Sequence, residues 1–243
     1  MAGFNLAHEY YWQPFKALGF TSSFWNLTPV TLINTWVILG IIVLFVIGAR
    51  LALRRENSVG SYLVCSLGQA FKDLVVQSLG TFNFNHFAFI ASLFFFIFLC
   101  NIISMIPWLE EPTSDLNTTL GLAITSLVYA HFSSIRAHGI GVYLKHFLKP
   151  FAFMLPLNII ESFAKIVSLS FRLFGNIFGV AIISKLYLHA IGGSIPLELV
   201  GIMSGVNILI ILFFVIFDGG IQAFVFSMLS LTYLAIETQQ TEP

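Results

Sequence analysis

One arginine stands in the middle of a long apolar stretch, in the sequence Ser-Leu-Ser-Phe-Arg-Leu-Phe-Gly-Asn that runs from Ser168 to Asn176. Its guanidinium stays ionised in proteins and carries five N–H donors. At the centre of a bilayer such a charge costs about 2.5–3.5 kcal/mol even on insertion scales. Arg172 lies about 20 Å or more from either end of the predicted helix, too far for its side chain to reach the headgroups easily. We therefore expect Arg172 to act in ion movement, with a structural pairing to another helix as the alternative.

Four further polar residues fall on the same predicted helix face as Arg172. At about 100° per residue, Glu161, Lys165, Ser168 and Asn176 form one narrow stripe with it. Glu161 and Lys165 are spaced i and i+4, so they can form a local ion pair. A role as a proton exit group is the alternative for this pair. The spacing therefore predicts a polar line along one side of a membrane-spanning helix.

A second polar stripe lies on the last predicted helix, where Asn207, Asp218 and Gln222 share a face. This helix runs in the opposite direction, so we expect Asp218 and Gln222 at roughly the depth of Arg172. An aspartate within a membrane must be paired, protonated or hydrated. We expect Asp218 to line an ion path, and the alternative is a counter-ion that neutralises Arg172.

Three polar residues on the predicted outer side can form an inlet: Asp115, His189 and Glu198. Each also has a structural interpretation as a helix cap, an interface residue or a solvated end residue, which we favour for Glu198. The other histidines of the predicted helices and loops do not make two facing pairs, as a bis-histidine haem site would need. We expect them to be interface residues or to be hydrogen-bonded within the protein: His86, His131, His138 and His146.

The composition is that of a membrane protein. Of 243 residues, 58% are hydrophobic and 9% are charged, whereas a soluble domain carries about 25% charged residues. The long apolar runs predict an all-α polytopic membrane protein. A formal net charge of +0 argues against a nucleic-acid partner. The chain has no phosphate-binding loop, no dinucleotide fingerprint, and no metal spacing at Cys65 or Cys100, so we expect no bound nucleotide, metal or cofactor.

Apolar runs predict five membrane crossings and one amphipathic helix. The predicted segments are 30–51, 58–79, 84–106, 117–134, 157–191 and 196–236. The second segment is only moderately apolar, so we expect it on the membrane surface or against other helices. The last two segments are about 50 and 60 Å long against a hydrocarbon core of about 30 Å, so this hairpin must tilt steeply or bend. Gly205 and the Gly219–Gly220 pair are the candidate bend points.

The chain divides into an N-terminal interfacial arm at residues 1–29 and a single transmembrane domain at residues 30–243, with the ion-path hairpin at residues 155–237. Basic residues follow the first and third spans and are missing from the loops after the second and fourth. The positive-inside rule therefore predicts an outer N-terminus and a cytoplasmic C-terminus. No targeting segment is recognised before the first span, which favours a bacterial inner membrane over an organelle. The sequence shows no internal repeat, so it lacks the signature that is typical of inverted-repeat transporters.

The segment Ser168–Asn176 resembles the signature of subunit a of F-type ATP synthases. Two other stretches agree with that family, Pro-Thr-Ser-Asp-Leu-Asn-Thr-Thr at 112–119 and Ile-Gln-Ala-Phe-Val-Phe at 221–226, which is followed by Tyr233. The resemblance covers nearly the whole chain from about Trp25. It implies a non-catalytic stator subunit in a rotary ATP synthase, embedded in the bilayer beside a c-subunit ring and peripheral-stalk b subunits. Protons would travel to and from the ring carboxylates through two offset half-channels.

The resemblance also implies roles for individual residues. Arg172 corresponds to the essential arginine between the half-channels, Asn176 to the polar residue after it, and Gln222 to the glutamine that faces it. Glu161 and Lys165 lie where the family has polar residues near the inner outlet. A guanidinium opposite a ring carboxylate favours the ionised carboxylate, so the proton must leave before that site passes.

The chain departs from the family pattern at the inlet. Ala181 stands nine residues after the arginine, where many members carry Glu or His, and Val215 stands seven residues before the glutamine, where an acid or His is common. The usual inlet groups are therefore missing from their usual positions. We hypothesise that Asp218 takes over the inlet role, together with His189 or Asp115.

Three alternatives to a proton-carrying stator remain open at this stage. The same subunit in a sodium-driven enzyme would look alike, because ion choice resides mainly in the ring. A stand-alone secondary transporter or channel would need its own substrate cavity and would transport when reconstituted alone. A membrane redox protein would show a haem absorption band.

Overall fold

The structure is a computed structural model that describes residues 29–54, 59–103, 111–143, 155–191 and 212–239. Within these ranges the chain is helical and has no β-strand. The helices are α1 (Pro29–Leu53), α2 (Val59–Leu79), α3 (Phe84–Ile102), α4 (Leu116–His138), α5 (Leu155–Ile191) and α6 (Gly219–Gln239). A 3-10 turn at Pro112–Ser114 leads into α4, and a π-helical segment at Leu212–Asp218 leads into α6.

Five of the described helices are long and apolar enough to cross a membrane, which confirms the predicted all-α polytopic fold. The candidate spans are Val30–Leu53, Phe84–Ile102, Leu116–His138, Leu155–Val180 and Phe213–Thr238. Helix α2 is not among them. Its buried side chains Phe71 and Val75 join a hydrophobic cluster with residues of α3, α4 and α6. The amphipathic α2 therefore lies against the other helices, which is one of the two arrangements expected from its sequence.

Several helix boundaries differ by a few residues from the predicted segments. Helix α4 ends at His138, where the sequence predicted a span over about 117–134 that stops near Arg136, His138 and Gly139. Arg136 and His138 lie in its last turn, where cations interact favourably with the helix dipole. The helix ends at Gly139, whose φ of 84° is readily adopted only by glycine. In the last segment, π-helical geometry changes to α-helical geometry at Gly219, one of the expected bend points; Gly205 lies outside the described residues.

The core that positions the polar residues lies between α3, α4, α5 and α6. Its buried members are Leu93, Ile97, Ala123, Leu169, Leu173, Ala223 and Phe226. Helix α4 packs extensively against both α5 and α6, whereas α5 and α6 contact each other over a much shorter length. Van der Waals packing of this kind holds helices together in a bilayer, where the lipid tails are as apolar as the side chains.

The start of α6 is tightly fitted against α3 at Gly219. The Nδ2 of Asn101 donates a buried hydrogen bond of 2.9 Å to the carbonyl oxygen of Gly219, and a Cβ added there would lie 2.9 Å from Asn101 Cβ. We expect Gly219→Ala to destabilise the protein by about 1–3 kcal/mol. Gly220→Ala is the matched control, because its Cβ would meet the Phe98 ring at an ordinary 3.5 Å. Thermal unfolding of both variants tests this, and equal melting temperatures would contradict it.

Candidate functional site

Arg172 lies near the middle of α5, on the face that turns away from the bundle. Ser168 and Arg172 are exposed, and the neighbouring Phe171 is 54% exposed. The opposite face of this turn carries Leu169 and Leu173, which are buried in the core cluster. On this turn of α5, Leu169 and Leu173 therefore pack inward while Phe171 and the guanidinium of Arg172 are exposed.

The guanidinium of Arg172 has no ion pair with any carboxylate in the described part of the chain. In particular, Asp218 lies beyond the 4.0 Å that defines an ion pair, so the alternative of a counter-ion bound to Arg172 is not seen. An uncompensated cation inside a membrane-spanning segment is costly against lipid. The exposed face of α5 is therefore suited to an anionic group that approaches from outside this chain.

The predicted stripe on α5 divides between two environments. Glu161, Ser168 and Arg172 are exposed, with the Glu161 side chain at 60%. Asn176 is half-buried, and the Lys165 side chain is only 12% exposed. The helical periodicity therefore identified the side of α5 correctly but not which of its residues turn towards the bundle.

Lys165 makes the ion pair expected within α5 and a second one to α6. Its Nζ lies 2.9 Å from Glu161 Oε1 and 3.6 Å from Glu237 Oε1. The same ammonium lies 5.4 Å from the centroid of the Tyr233 ring, within cation–π distance. Glu237 was not predicted as a site residue, because the predicted last helix ended at residue 236, one residue before it.

These contacts bring the N-terminal half of α5 against the C-terminal end of α6, as in an antiparallel hairpin. Further along, Leu169 and Leu173 of α5 share one core cluster with Ala223 and Phe226 of α6. The turn of α5 that carries Arg172 thus belongs to the same cluster as the turn of α6 that carries Gln222.

Gln222 is buried at 8% exposure, and its Nε2 has no hydrogen-bond acceptor among the described residues. The Oγ atoms of Ser227 and Ser230, further along α6, are likewise buried and without a described partner. Buried polar groups in proteins are normally hydrogen-bonded. These buried polar groups of α6 are therefore candidates for binding internal water.

Asp218 closes the π-helical segment immediately before α6 and is half-buried. Such π-helical turns are often found at functional sites. Val215, where the family resemblance led us to expect an inlet acid or histidine, lies in the same segment. The side chain of His189 and the whole of Glu198 lie outside the described residues.

Asp115 has a clear structural role. Its side-chain oxygen accepts a hydrogen bond of 3.0 Å from the backbone N–H of Asn117, which caps the N-terminus of α4. The cap belongs to the 112–119 motif, which ends in Thr119. The Oγ1 of Thr119 lies 3.0 Å from the Oγ of Ser170 in a buried contact between α4 and α5. This hydroxyl pair was not predicted, since neither residue stands out in an isolated helix.

His131 is better connected than an ordinary interface histidine. Its Nδ1 lies 3.4 Å from Glu237 Oε2 and 3.1 Å from the hydroxyl of Tyr143. Burial, together with the negative charge of Glu237, raises the pKa of Tyr143 to about 12, so its hydroxyl stays protonated. His86 and His138 are hydrogen-bonded within the protein, as expected, at 3.0 Å to Tyr129 and 2.9 Å to the carbonyl of Thr238.

The described residues contain no group of three His, Cys, Asp or Glu side chains placed to hold a metal ion. Two groups of charged side chains bear on the proposed ion path instead. One is the exposed face of α5 around Arg172, and the other is the meeting point of α4, α5 and α6 around Glu237. The site thus offers fixed charges and proton-binding groups.

Comparison with known proteins agrees with this arrangement. The family model described as ATP synthase A chain matches residues 32–235. An ATP synthase subunit a from Moorella thermoacetica is 33% identical over 210 residues, which cover 84% of this chain and 88% of the relative. The corresponding protein from Desulforamulus reducens is 31% identical, covering 86% and 79%. An ATP synthase subunit a 2 from Pelobacter propionicus is 32% identical over 229 residues, covering 91% and 94%.

The match extends from α1 to α6 and includes the helix of Arg172, the 112–119 motif and the helix of Gln222. The chain therefore belongs to the ATP synthase A chain family, the family of ATP synthase subunit a.

Proposed function

We propose that this chain is the stator subunit that carries protons through the membrane sector of an F-type ATP synthase. It provides two offset half-channels, one from each side of the membrane, and Arg172 separates them. The observation that carries the proposal is the exposed guanidinium in the middle of α5, which has no anionic partner in the described part of the chain.

The partner of this face is a ring of c subunits with a carboxylate on each. Close approach of a ring helix is favoured by the small residues beside the arginine, Ser168 and Gly175. A Cβ built on Gly175 meets nothing within 4 Å among the described residues. The space it leaves is available to a neighbouring helix.

Arg172 prevents direct leakage between the half-channels. A ring carboxylate that comes opposite the guanidinium is stabilised in its ionised form, so it must release its proton before passing. The same positive charge repels protons from the space between the two half-channels. Each proton crossing supplies about 2.3 kcal/mol per 100 mV, so several crossings must be added together by rotation to drive one ATP synthesis.

The half-channel on the far side of Arg172 from Lys165 is the inlet, and Asp218 and Gln222 line it. Asp218 ends the π-helical segment and Gln222 lies in the first turn of α6, and the Nε2 of Gln222, which has no partner among the described residues, can bind water in this region. Asn176 belongs to the same half-channel, while Ser168 borders the ring face. Glu161 and Lys165 lie on the outlet side, and His189 and Asp115 are the further inlet candidates.

The orientation follows from the distribution of basic residues, with the N-terminus outside and the C-terminus in the cytoplasm of a bacterium. The chain assembles in the inner membrane with the c-subunit ring, the peripheral-stalk b subunits and the soluble ATPase head. A sodium-driven enzyme is the second candidate, since the carboxylate sites that select the ion belong to the ring.

Co-purification and reconstitution test the proposal. Affinity purification of the tagged chain should recover a ring of small hairpin proteins and a soluble ATPase. The reconstituted complex should synthesise ATP when a proton gradient is imposed, and a protonophore should stop it. Synthesis that required sodium would favour the second candidate. Transport by this chain alone in liposomes would contradict the proposal and indicate a stand-alone transporter.

A further inference from the structure

Three helices meet at the carboxylate of Glu237 near the end of α6. One oxygen, Oε1, lies 3.6 Å from Lys165 Nζ on α5, and the other, Oε2, lies 3.4 Å from His131 Nδ1 on α4. The Glu237 side chain is only 9% exposed, so these contacts are poorly screened by solvent. Glu237, Lys165 and His131 are called the three-helix junction below.

The last turn of α6 is also held to α4 by bonds that do not use the carboxylate. The hydroxyl of Ser134 donates to the carbonyl oxygen of Glu237 at 2.8 Å, and His138 Nε2 donates to the carbonyl oxygen of Thr238 at 2.9 Å. These bonds satisfy backbone acceptors at the end of a helix. They hold α6 against α4 without the carboxylate. The loss of the Glu237 charge should therefore mainly change how α5 is held.

Lys165 stands seven residues, about two helical turns, before Arg172 on the same helix. Helix α5 contacts α6 over only a short length, and Lys165 reaches across to Glu237 and to the Tyr233 ring there. A rotation of α5 about its axis would break both contacts. It would also change the direction in which Arg172 points, because the helix turns as a rigid unit.

We propose that Glu237 is a positioning residue. By holding Lys165 against α6, the three-helix junction sets the rotation and depth at which α5 presents Arg172. When the Glu237 charge is removed, Glu161 is the carboxylate still paired with Lys165, and it lies on the exposed side of α5. The ammonium is then drawn away from α6, and α5 turns with it. This inference rests on the role proposed above for Arg172.

Glu237→Gln in the assembled complex tests the inference, because glutamine keeps the shape of the side chain and the backbone bonds to Ser134 and His138. The measurement is the number of protons pumped per ATP hydrolysed in liposomes, together with passive proton leak. We expect the ratio to fall by about tenfold, since small displacements of a reacting group have effects of this size. If Glu237→Gln only reduced the amount of assembled complex, proton pumping and ATP hydrolysis would fall together. The ratio would then stay unchanged, and this result would overturn the proposal.

Asp73→Asn is the control, because it removes an exposed carboxylate of α2 that makes no ion pair among the described residues. It should keep a ratio close to that of the wild type, and a loss as large as that of Glu237→Gln would count against the inference. Lys165→Gln should reproduce the loss, and the double variant Glu237→Gln/Lys165→Gln should lose no more than either single variant.

Two further variants keep the result decisive. Glu237→Asp is used if Glu237→Gln does not assemble, because it retains the charge on a shorter side chain. It should show a smaller fall in the ratio of protons pumped to ATP hydrolysed. A wild-type ratio in both Glu237→Asp and Lys165→Gln would refute the proposal. Arg172→Ala distinguishes a failure of the proposed function from a failure of the positioning role of Glu237. If it leaves the ratio intact, the proposed function fails; if it abolishes coupling while Glu237→Gln does not, only the positioning role fails.

Discussion

Replacing Arg172 by alanine is expected to abolish ATP synthesis driven by an imposed proton gradient, with a fall of at least about 10²–10³-fold. Without the guanidinium, a ring carboxylate can pass between the half-channels while it is still protonated, and protons can cross without rotation of the ring. The measurement is gradient-driven ATP synthesis by inverted membrane vesicles. Passive proton leak through the same vesicles should rise.

Arg172→Lys and Phe171→Leu are the controls for this prediction. Lysine keeps the charge but loses the planar fork of donors, so partial activity is expected. Phe171 is exposed beside Arg172 and carries no charge, so its replacement by leucine should have little effect. Synthesis at the wild-type rate in Arg172→Ala would remove the basis of the proposed function.

The number and type of helices could be predicted from the sequence because they depend on local properties. An apolar run longer than the hydrocarbon core indicates a crossing whatever its neighbours are, and the same length argument predicted a segment over 157–191 where the structure has α5 at Leu155–Ile191. The sequence predicted that the third span stops near Arg136, His138 and Gly139. Helix α4 ends there because a cationic last turn is favourable and because glycine, at residue 139, supplies the positive φ that ends it.

The polar face of α5 was predictable for a similar reason, since the positions of Glu161, Ser168 and Arg172 around one helix follow from its periodicity alone. Contacts between helices were not predictable in this way. The pairs Lys165–Glu237 and Thr119–Ser170 depend on which helices are neighbours and on how they are shifted along each other. A single sequence carries no direct record of that shift.

The pairing of Asp218 illustrates the consequence. The sequence left open whether Asp218 lines an ion path or neutralises Arg172, and in the structure the two side chains are not within ion-pairing distance. An acid that is not neutralised by Arg172 is free to bind and release a proton on the path proposed for this chain.

Asp218→Asn is accordingly expected to reduce proton-driven ATP synthesis by about 10²-fold while the complex still assembles. Asparagine is nearly isosteric with aspartate but cannot bind and release a proton, so the loss would report on proton transfer and not on packing. Asp218→Glu, which keeps the acid, should retain much of the activity. The measurement is gradient-driven ATP synthesis, normalised to the amount of assembled complex.

Asp115→Asn tells whether a second acid takes part in the same inlet. Asparagine caps a helix about as well as aspartate, so α4 should remain intact and only the charge is lost. If Asp115 acts solely as the cap seen in its bond to Asn117, this variant should synthesise ATP at nearly the wild-type rate. A large loss in Asp115→Asn together with normal synthesis in Asp218→Asn would move the inlet acid from α6 to the start of α4, and the inlet half-channel would then have to run along the 112–119 motif.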